Sequence, residues 1–486
     1  MVVSDRDKYL GKGRAGDLLF GVLESCLSGP GRWEYLHWVV HGCMRKGGPN
    51  LGRRLVESAE EKGGTGSPLP APVMAVAWFG YGLSGDLDVS AEWGSAALDE
   101  LRLLHRDHPE PTIREWLASG LVNRANHLAV AGDWAAAGDL LAELRLLHGV
   151  HPEPAVREQL AIGLFNRAID LAGAGDLAGA GDLLAELRLL HGVHPEPAVR
   201  ERLASGLFNR ANDLAGAGDL AGAGDLLAEL RLLHGDHPEP AVRERLAMGL
   251  VNRANDLAGA GDLAGAWDLL GELRLLHGVH PEPVVREWLA KGLVNRAVDL
   301  AGAGDWAGAG DLLGELRLLH WVHPEPAVRE QLARGLFNRA IDLARAGDLA
   351  GAGDLLAELR LLHGVHPEPA VREQLAKGLF NRANDLAGAG DLAGAGDLLA
   401  ELRLLHGVHP EAAVREQLAK GLFNRAIHLA GAGDLAGAGD LLAELRLLHG
   451  VHPEPAVSEW LARGVAESDD TTLGGGSSWR GGSGVR

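Results

Sequence analysis

The chain has 486 residues, 23% of them charged and 46% hydrophobic, with a formal net charge of −20. That length would ordinarily divide into about three domains, and so acidic a balance excludes a nucleic-acid partner, which needs a basic surface against its phosphates. No apolar run approaches the roughly 20 residues of a membrane span, and two cysteines, Cys26 and Cys43, give no disulfide framework. Met1 to Arg14 mix charges with glycine and lack the continuous apolar core of a secretory leader, so a reducing cytoplasm is the expected setting. Residues 1–64 hold helix-like stretches, Leu18 to Leu27 and Trp33 to Met44, to which no role attaches. Residues 65–107 carry Trp78, Gly82, a Gly85-Asp86 turn and a closing Leu101 to His105, and read as a degenerate copy of the unit that follows.

From there the chain repeats itself. The string LRLLH begins at Leu101, Leu144, Leu187, Leu230, Leu273, Leu316, Leu359, Leu402 and Leu445, each start 43 residues after the last. Counted from the tripeptide HPE, eight complete units fill 108–451 and a truncated ninth opens at His452. In the unit from His151 to Val193, a first helix opens after Pro152 and Pro154, where proline costs a helix little. Its apolar residues Val156, Leu160, Leu164, Ala168 and Leu171 keep the 3–4 spacing of a helical stripe. Gly173 and Gly175 weaken it, and Asp176 is suited to cap a second helix. That helix carries Leu177, Ala180, Leu183, Leu184, Leu187 and Leu190 on one face and ends near His191 and Gly192. Neither helix can bury its stripe alone, so the units must stack. Residues 452–467 are expected to close the stack with one helix, Ala456 to Glu467, and the Gly/Ser-rich 468–486 to be disordered.

Ala168, the Gly175-Asp176 turn, Ala180 and Pro195 stand where the tetratricopeptide repeat has a small residue, a turn, a second small residue and a late proline. Over residues 108–467 the chain resembles that family, although the family unit is usually about 34 residues and this one has extra turns at the start of its first helix. The resemblance implies an all-α, right-handed solenoid of stacked antiparallel helix pairs, a superhelix whose concave groove is lined by the first helices and holds a protein or peptide. Arg167 departs from the pattern, falling where the family usually has a buried leucine, and is expected to pair with Asp182 or Glu186.

Because the copies are nearly identical, their differences are informative. One column reads Trp116, Gln159, Arg202, Arg245, Trp288, Gln331, Gln374, Gln417 and Trp460. Three residues on come Ser119, Ile162, Ser205, Met248, Lys291, Arg334, Lys377, Lys420 and Arg463. An unchanging asparagine follows at Asn123, Asn166, Asn209, Asn252, Asn295, Asn338, Asn381 and Asn424, and beyond it a third variable column runs from Asn126 through Ile169, Asn212, Asn255, Val298, Ile341 and Asn384 to Ile427. At about 100° per residue these columns form one stripe away from the core face. The resemblance places that stripe in the ligand groove, with a basic row of Lys291, Arg334, Lys377 and Lys420 suited to an acidic segment or a terminal carboxylate. Drift at exposed positions, where substitutions cost little, is the competing account. Trp116, Trp288 and Trp460 are evenly spaced, which points to duplication of a four-unit block.

Other chemistries are set aside. Histidines three apart, such as His148 and His151, have metal-ligand spacing, but the second precedes a proline and no cysteine joins them. AGAGDLAGAGDL alternates glycine and aspartate as calcium-binding β-rolls do, yet supplies only two such units before a helix resumes. His41 and Cys43 point to different faces of a helix, and no phosphate-binding loop is present. The expectation is a non-catalytic interaction scaffold without metal or cofactor, binding a protein or peptide and neither nucleic acid nor membrane. The alternative is a structural protein that associates with itself.

Overall fold

A computed structural model describes residues 98–463 apart from 100, 104, 107, 108 and 456. Trp78, Gly82, Gly85-Asp86, Cys26, Cys43, His41, the helix-like stretches within 1–64 and the tail 468–486 lie outside the described residues. The described residues fall into two compact units, one ending at Gly249 and one beginning at Leu250.

Both units are built from the same helix pair. First helices are α1 (Pro111–Val130), α3 (Pro154–Gly173), α5 (Pro197–Gly216), α7 (Pro240–Gly259), α9 (Pro283–Gly302), α11 (Pro326–Arg345), α13 (Pro369–Gly388) and α15 (Ala412–Gly431). Second helices are α2 (Trp134–Val150), α4 (Leu177–Val193), α6 (Leu220–Asp236), α8 (Leu263–Val279), α10 (Trp306–Val322), α12 (Leu349–Val365), α14 (Leu392–Val408) and α16 (Leu435–Val451). Among the described residues there is no strand, and no helix is long and apolar enough to cross a membrane.

The turn between the two helices follows from its residues. Gly175 takes φ +85°, a conformation that penalises any Cβ, and lets its N–H reach Ala172 O (2.9 Å) while the N–H of Asp176 reaches Leu171 O (2.8 Å). This pair of bonds is a Schellman closure of the first helix. The Asp176 carboxylate then accepts the N–H of Gly179 at 2.9 Å and caps the second helix. Gly179 lets that carboxylate lie close, and the corresponding Ala136 keeps the cap at a slightly longer 3.1 Å.

Val156, Leu160 and Leu164 of α3 are buried against Ala180, Leu184 and Leu187 of α4, as the spacing predicts, while Ala168 and Leu171 are half-buried. Consecutive first helices also pack directly on one another, as α1 does on α3 and α13 on α15. Consecutive second helices are bridged instead by ion pairs. Arg188 of α4 makes a two-point contact with Glu229 of α6, both bonds 2.6 Å, and Arg360 does the same to Glu401 between α12 and α14. At the two ends of the described chain the pattern continues. Arg102 pairs with Glu143 at 2.5 Å, and Trp460 packs on Phe423 with ring centroids 5.4 Å apart.

Candidate functional site

The stripe lies on the first helices, and the rotation of each helix decides what it offers. Its first column is only partly open to solvent. Trp116 is 2% exposed, and Gln331 and Gln417 are buried. Between described first helices this column lies at the seam with the preceding one, where Arg202 lies over the Phe165 ring at 5.9 Å. In the same seam Arg245 donates from Nε to Ser205 Oγ at 3.1 Å and stands 3.2 Å from Met248 Sδ. Gln159, Gln374 and Trp288 are half-buried in the corresponding place. In three copies, therefore, this column is given over to packing, and in the others it remains partly open.

The second column is open at its edge. Ser119, Ile162 and Met248 are half-exposed and Arg334 is exposed. The basic row is largely balanced from within. Lys291 donates to Glu287 at 2.8 Å, Lys377 to Glu373 at 2.7 Å, and Lys420 pairs with Glu416 at 2.7 Å, each four residues back on its own helix. Trp288 adds to this by placing its ring 4.1 Å from the Lys291 ammonium. Arg334 has no ion-pair partner among the described residues.

The asparagines divide into two sets. Asn166 donates to Asn126 at 3.2 Å, Asn295 to Asn255 at 3.1 Å and Asn424 to Asn384 at 3.2 Å, forming rungs between neighbouring first helices. Asn123 is half-buried on α1, and Asn252, in the corresponding place on α7, also has a partner. A rung needs an asparagine in the third column of the preceding copy. Where that copy has Ile169, Val298 or Ile341, the amides of Asn209, Asn338 and Asn381 make no side-chain hydrogen bond among the described residues. Asn338, Asn381, Arg334 and the exposed Val298 all belong to the second unit, on α9, α11 and α13.

Arg167 is also placed differently from its expectation. Its Nη2 donates to Trp134 O at 3.1 Å and its guanidinium lies over the Trp134 ring at 5.3 Å, while Glu186 is taken by Arg145 at 2.6 Å. The residue leans back onto the first residue of the previous second helix, where it meets both a backbone carbonyl and an aromatic face.

Sequence reasoning missed a buried arginine that recurs in the units. Arg157, 7% exposed, pairs with Glu196 of the next HPE and donates to Pro152 O. The same pairing joins Arg114 to Glu153 and Arg200 to Glu239 in the first unit, and Arg329 to Glu368 and Arg372 to Glu411 at 2.6 and 2.7 Å in the second. The signal was the invariance, in the complete copies, of the Arg-Glu pair and HPE beside a column that varies. The arginine holds Glu153 and Glu196 below the usual carboxylate range by donating to them. Histidines pack beside this bridge, His148 edge-on to His194 with centroids 6.1 Å apart and His320 to His366 at 6.3 Å. Burial pushes His148 and His320 below their ordinary value, and the nearby arginines and second histidine add to the effect. No group of three or more His, Cys, Asp or Glu among the described residues could hold a metal ion.

No protein-family model matches the chain, and no curated protein sequence does. Among solved structures, Kap121p is similar with a TM-score of 0.55 at 11% identity, over 96% of this chain and 54% of that one, so this chain spans about half of its length. The apo form of RapI gives 0.39 at 10% identity, over 83% and 99% of the two chains. A tetratricopeptide repeat protein from Parabacteroides merdae gives 0.30 at 15% identity, over 63% and 98%. At these identities the likeness to Kap121p speaks for fold alone. The chain is an all-α array of stacked antiparallel helix pairs whose 43-residue unit resembles the tetratricopeptide repeat.

Proposed function

We propose that the chain is a non-catalytic scaffold that binds a protein or an extended peptide along the edge of its first helices. The observation that carries this reading is the set of unsatisfied polar groups on α11 and α13. Arg334 is exposed without an ion pair, and the Asn338 and Asn381 amides lack side-chain partners beside the exposed Val298. Amides of this kind suit a peptide backbone, Val298 an apolar side chain, and Arg334 a carboxylate. The lysines of the row would have to release Glu287, Glu373 and Glu416 to serve the same purpose, so an acidic group is read at Arg334 first. On sequence grounds the setting we infer is the cytoplasm, with residues 65–107 and 452–467 closing the two ends of the array.

The test is peptide selection on the immobilised full chain from a random library, followed by fluorescence polarisation of the winners. Selected peptides should carry an acidic residue or a free C-terminus. They should bind Arg334→Glu roughly tenfold or more weakly, as for a charge-assisted bond, and the Asn338→Ala, Asn381→Ala double variant several-fold more weakly. Peptides that bind all three proteins equally would remove the site from the first helices.

A further inference from the structure

The second helices present a face that the groove reading does not use. In the second unit the third residue of each LRLLH string points to water, from Leu275 (74% exposed) to Leu447 (73%), although Leu273 and Leu276 beside the first of them are core. Four residues on, a valine is equally open, from Val279 to Val451. Two apolar rows therefore run across the C-terminal ends of α8, α10, α12, α14 and α16 without contributing to the fold. Beside the leucine row, on the side away from the valines, lies a row of glycines with open space where a Cβ would stand, as at Gly278 and Gly364. One copy breaks the row: Trp321 occupies the glycine position and is 84% exposed.

We propose that this face of the second unit pairs with the same face of a second copy of the chain, with Trp321 of each copy seated over the glycine row of the other. Period is the first reason, because a surface ridged at one helix pair per unit is matched in register by another surface of the same unit. The face is also self-complementary, holding both a bulky knob and the trough that receives it, as a two-fold contact requires. Size is sufficient: ten side chains about seven-tenths exposed open on the order of 1,000 Å², against about 800 Å² per partner in a stable interface. That exceeds the apolar patch of roughly 300–600 Å² usual on a monomer. Tryptophan is moreover a favoured anchor at the centre of such contacts. Two turns back on the same helix faces stands an exposed aspartate row, Asp268 to Asp440, so like charges confine the overlap to the leucine–valine ends. Salt should strengthen the pair by screening those rows.

Sedimentation velocity of the full chain over a wide concentration range tests this. Wild type should shift from monomer to dimer, and more readily at higher salt. Trp321→Gly should weaken the dimer at least roughly tenfold, and its fold is secure because the corresponding position is glycine in every other complete copy. A Leu318→Gln, Leu361→Gln variant with unchanged helical circular dichroism should weaken it further. A monomer at every concentration would overturn the proposal, as would a dimer indifferent to both variants. A monomer that instead floats with phosphatidylcholine vesicles would also overturn it, by assigning the face to lipid.

Discussion

At the residue scale, the buried arginine of each unit is the group on which stacking depends most sharply. Arg157 is taken out of water and repaid by Glu196 and by the Pro152 carbonyl, so the two ends of the pair are not equivalent. Removing Glu196 leaves a buried cation without its counter-ion, and Glu196→Ala should cost about 3 kcal/mol. Arg157→Met frees a glutamate that is one-third exposed and can rehydrate, so it should cost clearly less. Urea melts of the two variants check the order, and an equal or reversed cost would show that the bridge is not the buried element of the seam. The histidines beside it make stability depend on pH. His148, His191, His277, His320, His363 and His406 are all held below their ordinary value, chiefly by burial. The unfolded chain therefore takes up protons before the folded one. Their contribution is complete above about pH 6.5 and is lost as pH falls through and below that value. Glu153 and Glu196, held low by arginine, act in a later window, below about pH 4.5. Thermal melts should show Tm falling between pH 7 and about 5.5, ahead of the carboxylate range. A flat Tm there would mean that the histidines are as free in the fold as out of it.

At the element scale, each second helix starts on an aspartate whose carboxylate caps the N–H three residues on, and each first helix stops at a left-handed glycine. Asp219→Ala should cost about 1 kcal/mol, the usual worth of a cap, through loss of its 2.9 Å bond from Gly222. Gly218 stands at φ +87°, so Gly218→Ala should destabilise by a similar amount although nothing crowds its Cβ. Equilibrium unfolding of each variant checks its cost, and an unchanged midpoint would remove the cap or the left-handed turn from the account. These features were legible in the sequence because caps, turns and the 3–4 stripe are set by residues within one turn of each other. The rotation of the first helices was not. At about 100° per residue, columns only three apart differ by 60° in facing, and a neighbouring helix decides which is covered. Gln331 and Gln417 thus fell into the seam while Arg334 stayed open. Arg157 escaped notice for a related reason, its partner being supplied by the next unit and not by any residue a local motif can see. Duplication explains why the copies look alike, but it does not say which face of a helix will meet water.

At the scale of the whole molecule, bonds between units join each copy to its neighbour. Arg157 reaches Glu196, Arg188 reaches Glu229, and Asn166 reaches back to Asn126, each across one repeat interval. Folding free energy is then expected to be close to a sum of unit terms and neighbour terms, as in other one-dimensional arrays. Deleting His151 to Val193 puts this to the test, since it joins Val150 to His194 and recreates the Gly-Val-His-Pro-Glu-Pro junction found between other copies. Across the new seam Arg114 would meet Glu196 in place of Glu153, and Arg145 would meet Glu229 in place of Glu186, with donors and acceptors conserved. The shortened chain should therefore fold with the same helical signal per residue and a modestly lower Tm, having lost one unit term and one neighbour term. Hydrogen exchange in the flanking helices should be as slow as in the parent chain measured alongside. Collapse of the helical signal would show that the copies, for all their likeness, are not interchangeable, and that a long-range constraint sets their number.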